Sequence, residues 1–397
     1  MNEYIQLLNN KEFQIIVSFL VSLVVTVTAI PVIINISKLK DLMAEIELRS
    51  SHEELTPTLG GVAIFAATLI SYFIWDNPNE GHEIHLAVAA LIILFFLGIK
   101  DDILILSPKK KLFIQIAAAL LLITFGDLRI STFFGLFNIH QIPYIVSTVF
   151  TLFIIIAIIN AINLLDGIDG LAGSVGFVSS VIFAFLFYQL NLFALSTLAL
   201  SLAGSLVGFL RFNWSTKNKI FMGDTGSMIL GFLLAFFAVK YIVYNSSYVY
   251  DPRLEKDAPI LTIIILLLPL FDTLRMFIIR ISTGVSPFKG DRKHLHHILI
   301  DNGFSHFWAT MILIAFNLLV LFIYMMIRHG YSNHAVLLGL LITFLIYCYV
   351  SYLLSKNIDV NTVDRLKYTK IDKLKRLQLV DEKKNTNLTG NQQAISE

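Results

Sequence analysis

The chain has 397 residues, of which 56% are hydrophobic and 15% are charged, and its mean hydropathy is +0.75. These values exclude an ordinary soluble protein and indicate a polytopic membrane protein. A formal net charge of +2 argues against nucleic-acid binding, which needs a concentrated basic face. Its single cysteine, Cys348, excludes a disulfide framework or a thiolate zinc cluster within one chain.

Eleven apolar runs are long enough to cross a bilayer, since a spanning helix needs roughly 20 mostly apolar residues and roughly 17 in a closely packed bundle. The sequence therefore predicts an all-α, polytopic membrane bundle of about eleven transmembrane helices. The predicted spans are 13–36, 59–75, 84–99, 111–125, 143–163, 171–188, 192–211, 226–243, 259–280, 308–327 and 334–355.

The distribution of basic residues predicts the orientation. Fourteen Lys and Arg residues follow the odd-numbered spans, and five lie on the opposite side, which puts the amino terminus outside and the carboxyl terminus in the cytoplasm. We expect residues 1–355 to form the membrane-embedded domain and 356–397 to form a basic cytoplasmic tail that is partly disordered. The predicted cytoplasmic loops are 37–58, 100–110, 164–170, 212–225 and 281–307.

Polar side chains gather at the predicted cytoplasmic ends of four spans. An Asp at mid-bilayer costs about 2.5 to 3.5 kcal/mol, so the placement of scarce carboxylates is informative. Asp101 and Asp102 end the third span. A small-residue loop around Asp224 leads into the eighth span, where a helix amino terminus is a natural anion site. The other two groups are Asn163, Asp166 and Asp169 after the fifth span, and Asp291-Arg292-Lys293-His294-Leu295-His296-His297 after the ninth.

This inventory is typical of a phosphoryl-transfer site at a membrane surface. Carboxylates on one face repel one another unless a cation joins them, and hard oxygen ligands select Mg²⁺ or Mn²⁺. Lysines, an arginine and histidines on the same face would complement further phosphate oxygens. Each group alone could be a solvated helix end, a turn or a helix cap, but their occurrence together on one predicted face favours a site.

These residues resemble the polyprenyl-phosphate N-acetylhexosamine-1-phosphate transferase family, glycosyltransferase family 4. The resemblance runs from Thr56-Pro57-Thr58-Leu59-Gly60-Gly61 through the acidic groups to Ser286-Pro287-Phe288 and His294-Leu295-His296-His297. It implies a multi-pass enzyme of the bacterial cytoplasmic membrane, with its active site facing the cytoplasm. The implied reaction transfers a sugar 1-phosphate from a UDP-sugar to undecaprenyl phosphate with Mg²⁺, releases UMP and initiates a cell-envelope polysaccharide. A homodimer is also compatible with the resemblance.

The resemblance also implies roles for individual residues. The nucleophile would be the lipid phosphate, which is already mostly dianionic at neutral pH because its second pKa is about 6. Asp101 would position or deprotonate this phosphate, Asp224 would hold the metal, and Phe221 would stack on uracil. A covalent aspartyl-phosphate route stays open. The implied catalytic residues are Asp101, Asp102, Asp166 and Asp169; the implied metal ligands are Asp224, Asp102 and Asp169; the implied substrate-binding residues are Lys109, Lys111, Asn163, Phe221, Arg292, His294, His296 and His297.

Two alternatives concern the function. The interrupted histidine segment resembles the amino-sugar branch, which uses UDP-N-acetylglucosamine, although this branch often has Arg where this chain has Thr58. A UDP-MurNAc-pentapeptide transferase of peptidoglycan synthesis is the alternative within the family, and a transporter is the alternative of another class. Polar clusters at one face and the lack of a visible internal repeat disfavour the transporter.

A charged pair in the ninth span has two interpretations. Asp272 and Arg275 lie three residues apart near the predicted cytoplasmic end of this span. They could form a structural ion pair within the bundle, or they could bind the donor.

Overall fold

The computed structural model describes residues 10–40, 42, 56–75, 82–104, 106–136, 139–247, 257–284, 286 and 293–356. Arg292 and the predicted tail from residue 357 onward lie outside these ranges. The described ranges form α1 (Lys11–Leu39), α2 (Gly60–Ile74), α3 (His82–Leu104), α4 (Pro108–Phe125), α5 (Tyr144–Leu165), α6 (Leu171–Gln189), α7 (Phe193–Asn213), α8 (Gly223–Ser247), α9 (Ala258–Ile265), α10 (Leu267–Ser282), α11 (Leu295–Asp301), α12 (His306–Ile327) and α13 (Asn333–Lys356).

The helices confirm the predicted multi-pass membrane bundle. Eight of those in the described ranges are long and apolar enough to cross a membrane, and α9 with α10 would make a ninth, broken span. α2 has 15 residues and α4 begins with three lysines, and neither is counted among these eight. The number of eleven spans and the sides of the termini therefore stay predictions.

The predicted ninth span is bent by 81° between α9 and α10. Pro269 has no N–H to donate to the carbonyl of Ile265, so the regular helical bonds stop there. Asn317 of α12 satisfies part of the opened backbone, because its amide donates to the carbonyl of Ile264 at 3.2 Å and accepts from the N–H of Leu268 at 3.3 Å. The bend turns α10 away from the direction of α9.

Small residues let α1 and α7 pack closely. A Cβ added at Gly204 of α7 would overlap the carbonyl oxygen of Phe19 in α1, and one at Gly208 would press on Thr26. Close approach of backbones through small residues is a main source of helix association in membranes. α8 is the most enclosed of the candidate spans and packs against α2, α3 and α5.

We expect Gly204→Ala to destabilise the bundle, because the added methyl group forces α1 and α7 apart; overpacking of this kind costs about 1 to 3 kcal/mol. The measurement is the midpoint of thermal unfolding in detergent. Gly339→Ala is the control, because in the described ranges no neighbouring atom lies within 4 Å of the Cβ position at this glycine of α13. Equal midpoints for the two variants would contradict the close packing.

Candidate active site

A lysine joins carboxylates from two helices at one end of the bundle. Nζ of Lys111, in the first turn of α4, lies 2.8 Å from Oδ2 of Asp224 and also forms an ion pair with Asp101 of α3. The amide of Asn163, near the end of α5, donates to Oδ1 of Asp224 at 2.6 Å and to Oγ of Ser227 at 2.8 Å. The ends of α3 and α5 and the starts of α4 and α8 therefore meet at Asp224.

Asp102 caps the amino terminus of α8. Its Oδ1 accepts the N–H of Asp224 at 2.7 Å, and its Oδ2 accepts the N–H of Thr225 at 3.1 Å and the Thr225 hydroxyl at 2.5 Å. These N–H groups have no partner within the helix, so a carboxylate stabilises them. Gly223 has φ +71°, and a Cβ there would overlap the carbonyl oxygen of Thr58. Asp102 thus fixes the position of Asp224 from the adjacent helix.

Asp166 ends α5 and lies beside the other carboxylates. Within the described ranges, no side chain donates a hydrogen bond to it. Burial raises the pKa of Asp166 well above its usual value, and the charges of Asp224, Asp169 and Asp102 raise this pKa further. Among the described residues, no positive charge therefore compensates the Asp166 carboxylate.

Asp169 belongs to a second polar network in the turn between α5 and α6. Its Oδ2 accepts a hydrogen bond from Nζ of Lys219 at 2.6 Å and lies 2.9 Å from Nδ1 of His306. The N–H of the next residue, Gly170, donates to Asn213 at 2.6 Å. Sequence reasoning missed Lys219 and His306 as partners of Asp169. Lys219 lies two residues before Phe221, which the sequence predicted as a substrate-binding residue, so this nearness in the sequence could have indicated Lys219 as a site residue. His306 belongs to none of the motifs found in the sequence.

The histidine segment packs directly against the turn that holds Asp166. A Cβ added at Gly167 would overlap Nε2 of His296 and would lie 3.2 Å from Nε2 of His297. Both histidines and His294 are buried. Burial lowers the pKa of His296 well below its usual value, and the charge of His297 lowers it further, so the His296 imidazole is neutral near pH 7.

The Asp272–Arg275 ion pair anchors this histidine segment. Oδ2 of Asp272 lies 2.7 Å from Nδ1 of His294, and Oδ1 lies 3.2 Å from the Arg275 guanidinium. Oδ1 also accepts the N–H of Leu295 at 3.1 Å and the hydroxyl of Tyr347 at 3.2 Å. The carboxylate therefore orients His294 and caps the start of α11, which carries His296 and His297.

The remaining predicted residues differ in their placement. The partly buried Phe221 ring has Nζ of Lys219 at 5.6 Å from its centre, which puts it beside the Asp169 network. Lys109 is exposed, and in the part of the chain that the structure describes it pairs with none of the carboxylates. In these same ranges, no three Asp, Glu, His or Cys side chains form a ready-made metal cluster.

Comparison with known proteins identifies the matched region. The profile of Glycosyl transferase family 4 matches residues 84–242, which include the Asp pair, Asn163 to Asp169 and Asp224. Over this region the chain is similar to glycosyl transferase family 4. The resemblance to this family and the transferase class predicted from the sequence are thereby confirmed.

Several relatives of this chain carry the name undecaprenyl-phosphate alpha-N-acetylglucosaminyl 1-phosphate transferase. The protein of Yersinia pestis is 28% identical over 311 residues, which cover 76% of this chain and 81% of the relative. The protein of Haemophilus influenzae is 28% identical over 308 residues, covering 76% and 84%. The protein of Escherichia coli K12 is 26% identical over 277 residues, covering 68% and 72%.

We expect Asp272→Asn to destabilise the protein by about 3 to 5 kcal/mol, because it leaves the buried Arg275 charge without its carboxylate. The readout is the thermal unfolding midpoint in detergent. Asp127→Asn is the matched control, since it breaks the ion pair with Arg129 at a carboxylate whose side chain is 75% exposed, where a pair contributes about 0 to 1 kcal/mol. An unchanged midpoint for Asp272→Asn would contradict the anchoring role.

Proposed function

We propose that this protein transfers N-acetylglucosamine 1-phosphate from UDP-N-acetylglucosamine to undecaprenyl phosphate, giving a lipid pyrophosphoryl sugar and UMP. The observation that carries the proposal is the network in which Lys111 lies between Asp101 and Asp224, beside Asp166, whose charge no cation of the described ranges compensates. The names of the relatives support the acceptor lipid and the transferred sugar. The product would initiate a cell-envelope polysaccharide.

The reaction brings two anions together. An oxygen of the lipid phosphate attacks the phosphorus that bears the sugar, a new P–O bond forms, and the bond to UMP breaks so that UMP leaves with its oxygen. Because the lipid phosphate is mostly dianionic near pH 7, removal of a proton adds little to the rate. Charge neutralisation and alignment have to supply most of the acceleration. Lys111 is the cation best placed for this, since its side chain is partly exposed between two carboxylates.

The residues present fit a magnesium ion. Mg²⁺ is commonly held by one or two carboxylates together with substrate phosphates, and Asp166 offers carboxylate oxygens that no side-chain donor in the described ranges occupies. We assign Asp166 and Asp224 as the carboxylates that would hold it. When bound, the metal would neutralise charge on the donor pyrophosphate. Both oxygens of Asp102 accept hydrogen bonds from the start of α8, so Asp102 positions Asp224.

The donor would bind on the side of the site formed by the histidine segment. His296 and His297 contact the turn at Gly167, next to Asp166, and the neutral imidazole of His296 can donate one hydrogen bond to a phosphate oxygen. Phe221 offers an aromatic face for uracil beside Lys219. The excess of basic residues at this end of the spans supports a site that faces the cytoplasm of a bacterial cytoplasmic membrane.

The first test is an assay of the purified protein in detergent with undecaprenyl phosphate and Mg²⁺. We expect UMP and a lipid pyrophosphoryl sugar from UDP-N-acetylglucosamine, loss of both products with EDTA, and their return when Mg²⁺ is added back. UDP-MurNAc-pentapeptide is offered in a separate reaction. Release of UMP from this donor alone would assign the protein to the peptidoglycan branch of the family. Absence of UMP with either donor would contradict the proposed reaction.

A second test compares two lysines of the same helical turn. We expect Lys111→Gln to lower kcat/KM about a hundredfold, the typical loss when one preorganised charge-stabilising group is removed. Lys109→Gln is the matched control and should leave kcat/KM close to that of the unaltered protein, because the exposed Lys109 contacts none of the described carboxylates. If kcat/KM fell equally in the two variants, α4 would contribute only a general positive charge, and the specific position of the Lys111 ammonium group would not matter.

A further inference from the structure

An apolar groove opens between α6, α7 and α12. Its volume is about 490 Å³, which lies in the size range of small-molecule sites, roughly 300 to 1,000 Å³. Each of the three helices contributes partly buried apolar side chains to its wall. The residues that matter here are Phe177 and Val178 of α6, Val207 and Arg211 of α7, and Met311 and Ile314 of α12.

One cationic side chain borders this groove. Arg211, in the last turn of α7, is exposed, and its guanidinium lies 5.8 Å from the centre of the Phe212 ring. In the described ranges, no carboxylate forms an ion pair with it. The neighbouring Trp214, which also lines the groove, is a residue type enriched at membrane interfaces. An apolar wall that includes a tryptophan and an arginine without a carboxylate partner in the described ranges complements a lipid with an anionic head group.

The groove borders the Asp169–Gly170 turn, but its wall does not include the helices of the Lys111 network. The Trp214 indole donates to the carbonyl oxygen of Asp169 at 3.4 Å, and a Cβ added at Gly170 would overlap the indole ring. Trp214 therefore fills the space between the groove and the turn that ends α5. The helices α3, α4 and α8, which carry Asp101, Lys111 and Asp224, contribute no residue to the groove wall. Arg211 therefore lies on a different helix from each of these three residues.

We propose that this groove binds an anionic bilayer phospholipid, with an acyl chain along α6, α7 and α12 and the phosphate at Arg211. The orientation supports this occupant, because the end of α7 lies on the predicted cytoplasmic side, whose leaflet is rich in anionic lipids. The bound lipid would brace Trp214 against the Asp169–Gly170 turn. This site is additional to the acceptor site and does not depend on the proposed reaction.

The test measures lipid binding rather than turnover. The delipidated full chain in a neutral detergent is titrated with phosphatidylglycerol or phosphatidylcholine, and bound lipid is counted by native mass spectrometry. We expect phosphatidylglycerol to bind more tightly and to raise the thermal unfolding midpoint. Arg211→Gln should weaken phosphatidylglycerol binding about fivefold, the effect of one interfacial cation. Ile314→Trp, which fills the groove from α12, should reduce the binding of both lipids.

Lys217→Gln is the control, because Lys217 is an exposed cation in the loop after α7 that does not line the groove. Its phosphatidylglycerol affinity should equal that of the unaltered protein. Equal loss in Lys217→Gln and Arg211→Gln would indicate attraction by general surface charge and overturn the proposal. Undecaprenyl phosphate that displaces phosphatidylglycerol in an Arg211-dependent way would assign the groove to the acceptor and would also overturn it. The lipid-binding and unfolding measurements do not require turnover, so their results can be interpreted even if the protein shows no transferase activity.

Discussion

The site depends on the ammonium group of Lys111, which lies between carboxylates of two other helices. Asp101, Asp102, Asp166 and Asp224 gather at one end of the bundle, and their mutual repulsion would be large where water is partly excluded. The lysine offsets part of this repulsion and joins α4 to α3 and α8. A lysine in the first turn of a helix opposes the helix dipole, so the carboxylates in turn make this position of Lys111 favourable.

The two adjacent aspartates of α3 act in different directions. Successive residues of an α-helix are rotated by about 100°, so Asp101 and Asp102 cannot present their carboxylates to the same point in the same way. Asp101 pairs with Lys111, whereas Asp102 binds the N–H groups at the start of α8. The pair therefore combines one charge partner of the site with one cap that fixes Asp224. If substitution of Asp102 lowers the activity, the expected cause is therefore a displacement of Asp224.

Patterns in the sequence predicted the helices and the convergence of the acidic groups, because long apolar runs and scarce charges are strong signals in a membrane protein. They did not lead to the bend after Ile265: Pro269 was a local signal for a break in the helix, but the amide that supports the bend, Asn317, is distant in the sequence. The pairing of Asp169 with Lys219 and His306 was missed for a similar reason. These are contacts between separate helices and loops, which no local periodicity encodes.

The same kind of helix cap, a carboxylate from another helix, positions both the Asp224 network and the histidine segment. A carboxylate on a spanning helix, Asp102 of α3 or Asp272 of α10, accepts backbone N–H groups at the start of another helix, α8 or α11. The capped helix then carries a predicted ligand-binding side chain close to its first turn, Asp224 in one case and His296 in the other. Because the caps use backbone donors, Asp224 and His296 keep their own polar atoms for other partners. The bend at Leu266 belongs to this arrangement, since it sets the direction of α10 and hence the place from which Asp272 reaches the histidine segment.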